Sequence, residues 1–225
     1  MKIALIGDST TERWGSDCPQ LVSELGRLFI RTRFEIVNHG LSGSRVGNGL
    51  WRVANDYLDS NGAVRSCLSV DSPDIVLVES FAYTNCQDDV EGLTEYRDAL
   101  RRLIDEIQRG TSAKILFWVS FGPDRDRFLE NAPNYFNTSK ITRQRMADRV
   151  KIYLEEALDA ARDEDWPVAD VFGELNKKVA SGEVARRYIN QADGFHPSQL
   201  GYDLIARTIV RAIDEHRMIE EGAAH

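Results

Sequence analysis

Two short segments at opposite ends of the chain carry the residue types of an activated hydroxyl nucleophile. Gly7-Asp8-Ser9-Thr10 follows directly on the apolar run Ile3-Ala4-Leu5-Ile6, and Asp193-Gly194-Phe195-His196-Pro197 lies near the C-terminus. A serine hydroxyl attacks a carbonyl only when a base takes its proton, and an imidazole acts as that base when a third group holds its tautomer. Ser9 is the candidate nucleophile, His196 the base and Asp193 the group that orients it. The last two stand three residues apart, which puts carboxylate and ring on one short turn. A serine just past a buried strand also sits near a helix N-terminus, where unpaired backbone N–H groups favour a developing anion. Ser9 alone reads equally as a helix cap; the presence of His196 favours the nucleophile. Asp8 reads as a capping or bracing carboxylate.

These residues need a scaffold that brings both chain ends together. Short runs rich in Ile, Val and Leu at residues 2–6, 34–38, 74–79, 114–119 and 168–170 read as strands buried on both faces of a parallel sheet. Between and after them, residues 18–31, 90–109, 138–162 and 198–218 carry apolar positions at helical spacing. Strands alternating with helices predict an α/β fold, a doubly wound parallel sheet in a three-layer α/β/α sandwich, within one domain over residues 1–225. Residues 122–137 read as a long loop. In such sheets ligands bind outside the carboxyl ends of the strands. Ser9, the segment 40–49, the segment 80–86 and the 122–137 loop all follow predicted strands.

Four blocks now line up. Gly7-Asp8-Ser9 follows the first strand, and Asn38-His39-Gly40-Leu41-Ser42-Gly43-Ser44 follows the second. Asn85 follows the third, and Asp193-x-x-His196 precedes the last helix. In kind and order they resemble the SGNH (GDSL-type) hydrolase family, over most of the chain. The resemblance implies a flavodoxin-like, mostly parallel five-stranded sheet and a serine esterase with Ser9, Asp193 and His196 as its triad. It also implies an oxyanion hole made by the Ser9 and Gly43 N–H groups and the Asn85 amide, with Gly40 as the alternative to Gly43 and Thr84 to Asn85. The third block departs from the family, which commonly has Gly-x-Asn-Asp there; in this chain the glycines are missing and Cys86 follows the asparagine. His39 reads as a structural histidine, and Glu79 as a brace without a catalytic role.

Trp14, Trp51, Phe81, Tyr83, Phe121, Tyr135, Phe136 and Phe195 fall on or near these loops. They could pack an acyl chain, stack on a sugar or simply fill the core. Arg13, Arg45 and Arg125 could hold a carboxylate or phosphate, or be solvated. No extended apolar lid is visible, so a short acyl ester such as an O-acetyl group on a carbohydrate is expected. An acyltransferase to a sugar hydroxyl and a non-catalytic glycan-binding module are the alternatives.

The formal net charge of -8 argues against nucleic acid and anionic membrane surfaces as partners. Cys18, Cys67 and Cys86 are few and widely spaced, which suggests neither disulfides nor zinc and fits a reducing compartment. No leader pattern and no apolar run of the ~20 residues that span a membrane are seen, so a cytoplasmic location is expected. There is no Gly-x-Ser-x-Gly elbow, no phosphate-binding loop, no Gly-x-Gly-x-x-Gly after a strand and no metal-ligand spacing. Neither a metal nor an organic cofactor is expected; the partner is a small-molecule or carbohydrate ester.

Overall fold

The computed structural model describes residues 1–85, 90–132 and 135–220. The chain runs β1 (Lys2–Gly7), α1 (Ser9–Glu12), α2 (Pro19–Leu28), β2 (Glu35–Gly40) and α3 (Val46–Ala54). A small hairpin follows, β3 (Tyr57–Leu58) with β4 (Val64–Arg65), then β5 (Ile75–Glu79), α4 (Ala82–Asn85) and α5 (Val90–Gly110). The remainder is β6 (Lys114–Val119), α6 (Lys140–Asp163), β7 (Val168–Asp170), α7 (Val171–Ala180) and α8 (Gln199–Glu215). Five strands form one parallel sheet in the order β2-β1-β5-β6-β7. The order reverses at β1, so the crevice at a doubly wound switch point opens beside the carboxyl end of the strand that leads to Ser9.

Side chains that alternate along each strand build two apolar layers. Ile3 and Leu5 of β1 enter one, with Leu21 and Leu25 of α2, Leu175 of α7, and Ile205 and Ile209 of α8. Ala4 and Ile6 enter the other, with Val53 of α3, Leu100 and Leu103 of α5, and Val150 and Leu154 of α6. All four β1 residues are fully buried, which is why the strand reads as an unbroken apolar run. The long helices begin where their caps stand: the side chain of Ser139 accepts from Thr142 N–H, and that of Ser198 from Gly201 N–H.

The expected sheet is present, and the details correct the sequence reading in four places. Strand β2 continues through His39 to Gly40, pairing Gly7 with Gly40, so these two residues belong to the sheet and not to the following loop. Helices α3 and α7 and the hairpin were not foreseen. In α3, Gly47 and Gly49 interrupt the apolar pattern, and in α7 the stripe is only ten residues long. Among the described residues no helix is long and apolar enough to cross a membrane, and no group of three or more His, Cys, Asp or Glu is placed to hold a metal ion.

Candidate active site

Ser9 is the first residue of α1, but it is not the cap. Asp8 is, with its Oδ1 accepting from Thr10 N–H at 2.9 Å. The serine hydroxyl is left for another partner, and His196 Nε2 lies 2.8 Å from Ser9 Oγ. On the other side of the ring, Nδ1 lies 2.8 Å from Asp193 Oδ2. Asp193 Oδ1 accepts the backbone N–H groups of Phe195 and His196, each at 3.1 Å. One carboxylate therefore shapes the turn and aims the ring, which is what the three-residue spacing permits. With Nδ1–H donated to Asp193, Nε2 presents its lone pair to the serine hydroxyl. Burial pushes the Asp193 carboxyl up, but the His196 ring and the Phe195 N–H outweigh it and hold it below the usual aspartate value.

The loop over residues 122–137 buttresses this turn. Leu129 N–H donates to Asp193 O at 2.9 Å and Asp124 N–H to Gly194 O at 2.8 Å. Gly194 has φ +76°, and a Cβ there would lie 2.5 Å from Arg127 O, so only glycine fits.

Beneath Ser9, buried charges hold both poles of the Gly7–Asp8 peptide. Its N–H donates to Glu79 Oε2 at 2.9 Å, and its carbonyl accepts from Arg52 Nη2 at 3.0 Å. Glu79 Oε2 also accepts the Thr11 hydroxyl at 2.5 Å. Arg52 donates further to His39 O at 2.6 Å and to Ser44 Oγ at 2.9 Å, which ties the turn after β1 to the loop after β2. Burial lowers the Arg52 pKa to about 10, so the guanidinium stays charged at neutral pH. Asp8 and Glu79 are both fully enclosed. Burial raises both carboxyls, and the Asp8 charge raises Glu79 further, well above its ordinary value. The protonated form of Glu79 is thereby favoured, and Asp8 Oδ2 has no hydrogen-bond partner among the described residues.

The segment after β2 separates the two candidate glycines. The Gly40 N–H is taken by Asn38 Oδ1 at 2.8 Å, and a Cβ there would lie 2.2 Å from Glu12 N. Gly40 thus serves the close approach of α1 to the sheet. Gly43 has φ +73°, open space where a Cβ would stand, and an N–H with no acceptor among the described residues. Glu12 Oε2 accepts from Ser42 N–H at 2.9 Å and steadies this loop from α1.

After β5, Thr84 Oγ1 donates to Ser44 O at 2.7 Å, which occupies the hydroxyl. Asn85 donates one Nδ2 hydrogen to Phe81 O at 2.7 Å, and its Oδ1 accepts from Val46 N–H at 3.4 Å, so one amide hydrogen remains. The missing glycines are compensated by Phe81 itself, which adopts φ +55° at the turn with its ring fully buried. That ring packs on α3, where a Cβ on Gly49 would come within 2.8 Å of Phe81 Cζ. Cys86 lies outside the described residues.

Several loop residues do not face the site. Trp14 is buried, stacked on Tyr202 and edge-on to Trp118, and Phe121 lies in the core. Arg125 pairs with Asp148 through two contacts of 2.7 and 3.0 Å. His39 is buried between Tyr57 OH and Asp71 Oδ2, a structural role. Phe195, by contrast, packs its ring 3.8 Å from that of His196 and clusters with Tyr83 and Phe128. Sequence reasoning missed Arg52. Its signal is a charged residue in line with Val46, Gly49 and Val53 on the buried stripe of α3.

A sequence profile of the GDSL-like Lipase/Acylhydrolase family matches residues 5–204. No curated protein matches the chain. Among solved structures, a lipase/acylhydrolase from Enterococcus faecalis superposes with a TM-score of 0.68 at 22% identity, covering 99% of this chain and 99% of that one. Axe2, an acetylxylan esterase from Geobacillus stearothermophilus, gives 0.64 at 20% identity over 94% of this chain and 93% of that one. The acetyl xylan esterase AlAXEase gives 0.63 at 14% identity over 95% and 100%. At these identities the likeness is one of fold.

Proposed function

The chain belongs to the GDSL-like Lipase/Acylhydrolase family, and on that premise we propose that it is a serine esterase for short acyl esters, with O-acetyl groups on carbohydrates as its substrates. One observation carries this reading: the unbroken run from Asp193 through His196 to Ser9, with both links at 2.8 Å.

In the proposed reaction, Ser9 Oγ bonds to the ester carbonyl carbon while His196 Nε2 takes the hydroxyl proton. The carbonyl oxygen becomes an anion held by the Ser9 N–H, the Gly43 N–H and the free amide hydrogen of Asn85. The imidazolium, steadied by Asp193, gives its proton to the departing alkoxide as the carbon–oxygen bond breaks. Water then repeats the sequence on the acyl-enzyme and releases the acid. The two backbone donors support this assignment because neither has an acceptor among the described residues. Crowding by Phe195, Tyr83 and Phe128 beside the imidazole supports a short acyl group. Acetylxylan esterases of the same fold support a carbohydrate ester. Hydrolysis is favoured over transfer because the groove beside His196 is open to water.

The test is hydrolysis of 4-nitrophenyl acetate, butyrate and octanoate by wild type and Ser9→Ala. Activity that falls with chain length and vanishes in Ser9→Ala is expected. Equal or better turnover of octanoate contradicts the short acyl site, and undiminished activity in Ser9→Ala contradicts the nucleophile.

A further inference from the structure

Beside His196 lies an open groove of about 780 Å³ whose wall includes Arg13, Arg186, Arg187, Gln191 and Gln199. Three arginines meet there in a chain whose net charge is -8. None of the residues that line the groove carries a carboxylate, among those described. The acidic partners of these arginines stand outside the lining. Arg186 is braced by Asp124 and Asp126 through Nε and Nη2, and Arg187 meets Glu183 through Nη1 at 3.2 Å. Arg13 reaches Asp193 through Nη1 alone, at 3.5 Å. Each guanidinium keeps N–H groups without an acceptor among the described residues, and two carboxylates back Arg186. Preorganised guanidinium forks of this kind suit carboxylate and phosphate oxygens.

The position of the groove says which half of a substrate would occupy it. On the esterase reading above, His196 protonates the leaving oxygen, so a groove walled by His196 receives the alcohol half. Gly43 and Asn85, which face the acyl carbonyl in that reading, do not line it. We infer that this groove is a subsite for an anionic group, carboxylate or phosphate, on the alcohol portion of the ester.

The probes are three methyl glucosides that each carry one acetyl group: the neutral sugar, its uronate with a carboxylate at C6, and its 6-phosphate. Release of acetate is measured at 50 and 500 mM salt, with 4-nitrophenyl acetate as the control for esterase activity. The anionic sugars are expected to exceed the neutral one about tenfold in kcat/KM at low salt, mainly through KM. High salt should cut that advantage severalfold and leave the neutral sugar unchanged. The better of the two anions identifies the source of the charge. Arg187→Gln and Arg13→Gln should each bring the anionic-to-neutral ratio down toward one. Because the ratio compares substrates on one protein, a loss of folded enzyme cancels. Binding of the deacetylated uronate to Ser9→Ala, followed by NMR, should weaken in the same two variants. Equal kcat/KM for charged and neutral sugars, or a preference indifferent to salt and to both arginines, overturns the subsite and leaves the esterase reading standing. Failure on 4-nitrophenyl acetate and all three sugars strikes the esterase reading itself.

Discussion

Replacing Glu79 by glutamine tests the raised carboxyl beneath Ser9. Burial and the Asp8 charge raise Glu79 well above its ordinary value of 4.5, so above that value the folded protein favours keeping a proton. The unfolded chain releases that proton above the ordinary value. The folded state then binds more protons than the unfolded one, so stability falls as pH rises, until Glu79 itself titrates. One retained proton makes the slope about 1.4 kcal/mol per pH unit. Glutamine keeps the geometry: its carbonyl oxygen can accept from Asp8 N–H and the Thr11 hydroxyl, and its amide can donate to Asp8 Oδ2. It has no proton to lose. Groups other than the coupled Asp8 titrate alike in both proteins, so the difference between them isolates the Glu79–Asp8 pair. Urea unfolding of wild type and Glu79→Gln at half-unit steps should show the variant gaining on wild type as pH rises above 4.5, the ordinary value for glutamate, by up to about 1.4 kcal/mol per pH unit while Glu79 keeps its proton. Even one such unit is a measurable share of the ~5–15 kcal/mol that holds a domain together. Glu79→Ala leaves two buried donors unsatisfied and should lie about 3–5 kcal/mol below Glu79→Gln at every pH. Parallel pH curves for wild type and Glu79→Gln would refute the argument, because Glu79 would then be ionised like any surface glutamate.

Four further outcomes follow from the site geometry. Gly40→Ala drives a methyl into the backbone of α1 and should cost about 3 kcal/mol in urea unfolding. Gly43→Ala meets no neighbour and should cost only about 1 kcal/mol, yet lower kcat by about 10²–10³ through its displaced N–H. Asp193→Asn should leave the fold intact and reduce kcat about 10³–10⁴-fold, since the amide no longer selects the tautomer with a free Nε2; circular dichroism beside the esterase assay separates the two effects. Arg52→Met leaves buried carboxyl charge without its counter-ion and should lose about 3–5 kcal/mol, with Arg52→Lys recovering only part because an ammonium cannot reach the same spread of acceptors.

Much of the scaffold was readable because its signals are local. Ile3 to Ile6 announce a strand buried on both faces, and Leu100, Leu103, Ile104 and Ile107 announce a helix that covers one. Ser9, Asp193 and His196 were legible by residue type, and the structure brings them together. Arg52 was not, because its meaning depends on two carbonyls from β1 and β2 that only tertiary packing places within reach. The same holds for Asp8 and Glu79, 71 residues apart, whose raised carboxyls are a product of enclosure. Phe81 misled differently. Its left-handed turn is the kind of place where glycine is expected, and the cost of roughly 1–2 kcal/mol is offset by a buried ring that no short-range pattern reveals.

The bond between Ser9 and His196 joins positions 187 residues apart, and that span sets the timing of reactivity. During synthesis the first strand and its serine leave the ribosome long before the histidine exists. Until α8 docks against α2 and carries its preceding turn into place, Ser9 is an ordinary alcohol. On the proposed triad, ester turnover is therefore the last property the chain acquires. On refolding, secondary structure should return before ester turnover, and the lag between them measures the closing of the two chain ends on one another.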